Sequence, residues 1–321
     1  MKVAARWGWW LPMFVVTVTA NAEPAWVAAT VAMPVVQVGP HCWVVEGRLE
    51  DATRANQGFM SNAGFVITDA GVVVFDALGS PALAARLLTE IKRHTSQPVR
   101  RVIISHYHAD HFYGIPALRA AGAEIWAHTD AHHYLNGDAA QRRLTERKQS
   151  LGPWLGENFE LPLPDRWLTD DESFEMGGLH FTLRHIGPGH APEDLVMLVA
   201  PDGVLYAGDT VYAGRVPFVG EADTALWLTA IERLLELPAR VLVPGHGPAS
   251  HRPRQDLQLT HDYLTFLRAE MRRAVMDFLS FEEAYARIDW HRFAELPTFA
   301  AANRGNAYNI YLQMEQEALK P

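Results

Sequence analysis

The chain has a single cysteine, Cys42, so no disulfide can form within it and a packed core has to carry its stability. Cys42 sits in the apolar run HCWVVEG with no basic neighbours to stabilise a thiolate. That favours a small buried side chain over a nucleophile. Clusters of lysine and arginine are missing as well. The balance is 28 basic against 37 acidic residues, a formal charge of −9. No basic stripe follows from it, which argues against nucleic acid as a partner. Repeats, low-complexity tracts and a Pro/Gly/Ser-rich linker are also absent, so the composition is that of an ordinary globular chain without an internal hinge.

Long hydrophobic runs are scarce, and the first one carries a message. MKVAARWGWWLPMFVVTVTANA has Lys2 and Arg6, then an apolar stretch, then Ala20-Asn21-Ala22 as a small-x-small cleavage site. Residues 1–22 therefore read as a secretory signal peptide cut before Glu23. The apolar part is short for a membrane span, and there is no Arg-Arg pair, which favours the Sec-type route. The expectation is a periplasmic or secreted protein with no stable membrane span after cleavage. Loss of Lys2 and Arg6 leaves 26 basic residues against 37 acidic ones, a net of −11 that favours solubility.

Alternating apolar positions in VVQVGPHCWVVEG and GFVITDAGVVVFDA predict two hairpins. A helix over 81–94 follows, with Leu83, Leu87, Leu88 and Ile91 on one face, and then a buried strand, RRVIIS. After a polar helical stretch from 129 to about 150 and a Pro/Trp-rich connection over 151–170, strands recur at SFEM, LHFTLRHI, LVMLVA and GVLYAG. A helix near 223–236 and the strand RVLVP complete a second half. From 253 the chain reads as helical to its end, with Ala307, Ile310, Met314 and Ala318 as an apolar stripe. Two halves of strands covered by helices predict a layered α/β/β/α sandwich. Residues 23–252 would form the catalytic domain and 253–321 a helical extension packed on it.

The densest chemistry lies in ISHYHADHFYG, residues 104–114, where His106, His108, Asp110 and His111 fall within six positions. In extended chain, side chains two apart point the same way, so His106 and His108 can converge on one metal ion. Asp110 continues that series, while His111 faces away and can serve a second ion. A catalytic ion needs further ligands. Three ligand-type residues follow strands in Gly-rich loops: His190 in IGPGHAPED, Asp209 in LYAGDTVY and His246 in VLVPGHGPA. Glycine lets the backbone turn sharply and present each side chain.

HxHxDH, then PGH, GD and GHG in that order from about Val35 to Pro248, resembles the metallo-β-lactamase superfamily of metallohydrolases. The resemblance implies a four-layer αβ/βα sandwich and a dinuclear zinc site. It implies His106, His108 and His190 on one ion, Asp110, His111 and His246 on the other, and Asp209 bridging them. The imidazole and carboxylate donors suit two Zn²⁺ per chain and leave iron or manganese open. The implied reaction is hydrolysis of an ester, thioester, amide or lactam bond of a small-molecule substrate by a metal-bridging hydroxide that Asp110 orients.

One lactamase subclass carries a cysteine where this chain has Asp209 and another usually a serine. The aspartate is typical of glyoxalase II-like hydrolases and argues against lactams as the main substrate. GDTVYAGRVPFVGEAD and the terminal AYNIYLQMEQE resemble the SoxH-type or quinoprotein-relay zinc metallohydrolases. The alternatives are a mononuclear iron persulfide dioxygenase and a β-lactamase proper, with a metal reservoir or docking module as the non-catalytic reading. Tyr107, Tyr113, Arg215 and Phe218 either line the pocket or pack, and His128 is a candidate to stand behind the ligands. The oligomeric state is left open.

Overall fold

A computed structural model of the chain describes residues 26–320, so the segment read as a signal peptide lies outside the described residues. Two sheets form the centre. The first runs β1 (Val35–Gln37), β2 (Cys42–Val45), β3 (Ala63–Thr68), β4 (Gly71–Phe75), β5 (Val99–Ile103), β6 (Glu124–His128) and β7 (Arg166–Leu168), in that spatial order. It is antiparallel up to β4 and parallel from β4 to β7. The second has the order β12-β11-β10-β9-β8, made of β8 (Glu172–Met176), β9 (Leu179–His185), β10 (Leu195–Ala200), β11 (Val204–Tyr212) and β12 (Val241–His246). Only its β11–β12 pair is parallel.

The helices are α1 (Pro81–His94), α2 (Ala109–Phe112), α3 (Ile115–Ala120), α4 (His132–Leu135), α5 (Asp138–Leu155), α6 (Thr224–Leu235), α7 (Pro253–Met276), α8 (Phe281–Arg287) and α9 (Phe299–Ala318). Side-chain alternation decides how these layers stack. In β4, Val73 and Phe75 face the second sheet and meet Phe181, Met197 and Tyr206. Val72 and Val74 face the other way, onto Leu83, Leu87 and Ile91 of α1. In β11, Val204 and Tyr206 enter the core between the sheets, while Leu205 and Ala207 pack under α6 and α7. The result is the expected helix–sheet–sheet–helix sandwich, with α7 to α9 on the outer face of the second sheet. Among the described residues no helix is long and apolar enough to cross a membrane.

Local sequence supports these elements. Ser80 caps α1 by accepting the Leu83 N–H at 3.2 Å, Pro81 opens the helix, and Lys92, Arg93 and His94 complement its last turn. Gly64 is needed for sheet contact, because a Cβ there would lie 2.1 Å from the Tyr206 ring. Three features differ from the sequence reading. Helix α5 continues through Leu155 into the stretch read as connection. The tail breaks between Ile288 and Thr298 before α9, and Ala318 is exposed while Ala307, Ile310 and Met314 are buried. Finally, β11 and β12 run on to Tyr212 and His246, so Asp209 and His246 lie within strands and not after them. A positive-φ Gly208 and register shifts around it bulge β11 there, which re-aims the following side chain.

Candidate metal centre

The 105–111 turn leaves the C-terminal end of β5 and is held by its neighbours. Asp76, at the end of β4, accepts from Ser105 N at 2.7 Å and Ser105 Oγ at 2.9 Å. The carbonyl of Asp110 accepts from Ser61 Oγ at 2.6 Å. Ala109 to Phe112 form a helical turn, so Asp110 does not extend the alternation of His106 and His108 as the sequence suggested. It reaches the same cluster from the first turn of α2, where a helical rotation turns its carboxylate toward His111.

The second half brings its three candidate ligands to this turn, and each loop is stitched to the first half. Tyr107 N donates to Glu193 Oε1 at 2.9 Å, and Leu195 N donates to the Ser105 carbonyl at 2.9 Å, fixing the loop that carries His190. Asn62 Nδ2 donates to the carbonyls of Pro244 and Gly247, both at 2.8 Å, fixing the turn around His246. Gly245 allows the close approach of Asp209, since a Cβ on it would lie 1.9 Å from Asp209 Oδ1.

All seven residues meet in two groups. In the first, His108 Nδ1 lies 3.1 Å from His106 Nε2 and 2.8 Å from His190 Nε2. In the second, Asp110 Oδ2 lies 3.4 Å from His111 Nε2 and 3.2 Å from His246 Nε2. Asp209 stands between them, with Oδ1 3.1 Å from His111 Nε2. Its Oδ2 is 3.3 Å from His246 Nε2, 3.6 Å from His190 Nε2 and 3.9 Å from His106 Nε2. Tyr212 stacks on the His246 ring and donates its hydroxyl to Asp209 Oδ2.

Hydrogen bonds on the far side of three of the five rings set which nitrogen is free. His106 Nδ1 faces Ser105 Oγ at 3.0 Å, His111 Nδ1 faces Asp76 Oδ2 at 2.8 Å and His246 Nδ1 faces the Met60 carbonyl at 2.8 Å. Each Nδ1–H is thereby used, and the Nε2 lone pair points into the cluster. Asp110 Oδ2, His111 Nε2 and Asp209 Oδ1 are buried without any hydrogen-bond partner, a costly arrangement unless a cation satisfies them. Tetrahedral zinc bound to nitrogen at 2.0–2.1 Å needs donors roughly 3.3 Å apart, which this donor set matches.

The electrostatics of the two groups differ. Burial pushes His108 down to about 4 and, with His108 beside it, His190 down to about 3. Burial, then His111 and His108, hold His106 well below its ordinary value. In the second group burial also opposes charge on the histidines, but Asp209 and Asp110 outweigh it and raise both His111 and His246. Burial likewise opposes charge on Asp110 and Asp209, and His111 and His246 overcome it, holding both carboxyls well below the usual range.

A cleft of about 650 Å³ opens onto the cluster, reaching His108, Asp110, Asp209 and His246. Of the four residues offered as pocket lining, Arg215 and Phe218 do line it. Tyr107 and Tyr113 are fully buried in the core under the first sheet. His128 touches none of the seven. It stacks on His185, centroids 3.7 Å apart and planes at 17°, near Asp130. Parallel rings cannot both aim a lone pair at one ion, and His185 Nε2 is used on the Pro192 carbonyl. The sequence reading passed over Asp76, Tyr134 and Tyr212. Asp76 had a signal, an acid at a strand end, but the tyrosines had none that distinguishes them from core residues.

Comparison with known proteins agrees with this geometry. The sequence model of a family described as the metallo-beta-lactamase superfamily matches residues 56–246. A linear primary-alkylsulfatase of Pseudomonas sp. is 21% identical over 253 residues, 68% of this chain and 48% of that protein. A metallo-beta-lactamase type 2 of Bacillus cereus is 25% identical over 228 residues, 70% of this chain and 80% of that one. The solved structure of the stereoselective inverting sec-alkylsulfatase Pisa1 from Pseudomonas sp. superposes with a TM-score of 0.68 at 19% identity, covering 90% of this chain and 52% of that one. The chain thus spans about half the length of either alkylsulfatase.

Proposed function

Because this chain belongs to the metallo-β-lactamase superfamily and carries a His/Asp cluster that could hold metal ions, we propose that it is an exported, dinuclear zinc hydrolase. Its proposed targets are ester-type bonds: ester, thioester, amide or lactam. The observation that carries this is the position of Asp209, whose two oxygens lie within reach of both donor groups. Two cations held there would supply an acidified water and a Lewis acid for the scissile carbonyl. His106, His108 and His190 would hold one, and Asp110, His111 and His246 the other.

The chain's own groups then take the following parts. Asp110 offers a carboxylate that stays charged among histidines, so it can orient the attacking water by accepting a hydrogen bond from it. Asp76 and Ser105 fix the rings of His111 and His106. The Tyr134 hydroxyl is buried without a partner on the cleft wall, and its ring packs edge-on 5.8 Å from that of His108. Burial pushes its pKa up to about 12, so the hydroxyl stays protonated beside the cluster. Water adds to the acyl carbon, the bond to the leaving group breaks, and that group departs with a proton. The names of the relatives add sulfate esters to the candidates, and export rests on the reading of residues 1–22.

Metal analysis of the purified protein should give about two zinc per chain, together with chelator-sensitive hydrolysis across a panel of esters, thioesters, lactams and sulfate esters. Full zinc loading with no hydrolysis across that panel overturns the reading. Iron-dependent oxygen consumption with a persulfide would replace it by the dioxygenase.

A further inference from the structure

Glu193 is a buried acid without a counter-ion. It is 2% exposed and, among the described residues, has no ion-pair partner. Its Oε1 accepts from Tyr107 N at 2.9 Å, and its Oε2 is buried with no hydrogen-bond partner. Burial raises its pKa above the ordinary value, whereas the ligand carboxyls of Asp110 and Asp209 are both held low. A carboxyl kept for its charge would show the opposite shift, so the bond to Tyr107 is what the residue has to offer.

That bond occupies the place of a main-chain bond. Leu195 N donates to the Ser105 carbonyl at 2.9 Å. In an antiparallel ladder the next bond would run from Tyr107 N to the main-chain carbonyl of residue 193. Tyr107 N does bond residue 193, but through its side chain. The main chain there turns in on itself: Asp194 N donates to the Ala191 carbonyl at 3.4 Å, and Ala191 N donates to Asp194 Oδ2 at 3.0 Å. This turn carries His190 into the cluster, and the Glu193 carboxyl continues the ladder one step past the point where the backbone leaves it.

Tyr107 lies between His106 and His108, and Glu193 follows His190 by three residues. One side chain thus ties the segment bearing two ligands to the loop bearing the third. The contact it spans is short, with His108 Nδ1 2.8 Å from His190 Nε2. On its other side residue 107 is fixed by its own ring, which packs in the core against Phe112 with centroids 4.4 Å apart.

Building on the two-cation reading, we propose that Glu193 positions the first donor group, its side-chain oxygen standing in for a strand carbonyl and setting the spacing between the His106–His108 pair and His190. It touches no reacting atom and acts through the Tyr107 backbone. The role requires an acceptor of the right reach, which glutamine retains and alanine lacks.

The test uses the full chain with Glu193→Gln and Glu193→Ala. In the metal-free protein, hydrogen exchange followed by NMR should show the Tyr107 amide exchanging at least about 10-fold faster in Glu193→Ala, and near the wild-type rate in Glu193→Gln. Zinc affinity is then read by chelator competition in an Asp110→Asn background, where the remaining ion belongs to the histidine group. It should fall roughly 10- to 100-fold with Glu193→Ala and stay within about 3-fold of its parent with Glu193→Gln. If Glu193→Gln matches Glu193→Ala in both measurements, charge and not the acceptor matters, and the proposal is overturned. Unchanged exchange and affinity in Glu193→Ala overturn it as well. So does faster exchange spread evenly over both sheets, which would make Glu193 a general packing residue. If the zinc-loaded wild type hydrolyses nothing while both patterns hold, the hydrolase reading fails and the positioning role stands.

Discussion

The two donor groups share one turn yet differ in kind. The first holds three histidines that burial keeps neutral, with lone pairs free at neutral pH. The second holds Asp110 and two histidines that carboxylates pull toward protonation. A cation arriving at the first finds its ligands ready, whereas one arriving at the second has to displace protons. Charge, more than ring count, separates the two sites, and Asp209 is where they are coupled.

Removing the coupling should have the largest effect. Asp209→Asn deprives both groups at once, and kcat/KM should fall by at least about 10³-fold, with bound zinc well below the wild-type content by elemental analysis. Asp110→Asn should separate the groups. Zinc should drop to about one per chain, retained by the histidine group, while kcat falls on the order of 10²-fold. Retention of two ions by Asp110→Asn would contradict the assignment of Asp110 to the second group.

Smaller changes sharpen the contrast through the groups behind the rings. Asp76→Asn leaves His111 in place but weakens its orientation. Affinity for the second cation should fall roughly 10-fold, at the low end of what such outer partners contribute, as read by competition with a chromogenic chelator. Ser105→Ala, acting on His106 through a neutral hydroxyl, should cost the first cation less than that. The pH dependence should be the mildest difference. His111 and His246 have raised pKa values in the metal-free protein, so protons leave as the second cation binds, and its affinity should climb with pH from neutral upward. His108 and His190, pushed down to about 4 and about 3, are already deprotonated there, and the first cation should bind almost independently of pH. Calorimetry in two buffers of unlike ionisation enthalpy would read the proton release directly.

Much of this was legible in the chain itself. Alternation at Val72 to Phe75 and the helical spacing of Leu83, Leu87 and Ile91 follow from burial on one or both faces, so the layers could be drawn from periodicity. The HxHxDH turn was visible because its donors are adjacent in sequence. What could not be read is what depends on a partner far along the chain. Asp110 joins its group through a helical turn, and Asp209 through a bulge at Gly208, features that period-two reasoning does not contain. Tyr107 and Tyr113 flank ligands in sequence yet point into the core, while Tyr134 and Tyr212, with no motif around them, reach the cleft. Arg215 and Phe218, singled out because they follow Asp209 closely, do line the cleft.

The bonds from Pro297, Asn306 and Asn309 to the 216–220 segment divide the site between two stretches of the chain. Every candidate ligand lies between His106 and His246, whereas the segment walling the cleft beside them is tied down by residues 297–309. Damage to α9 should therefore loosen the mouth while leaving the ligands themselves in their strands and loops.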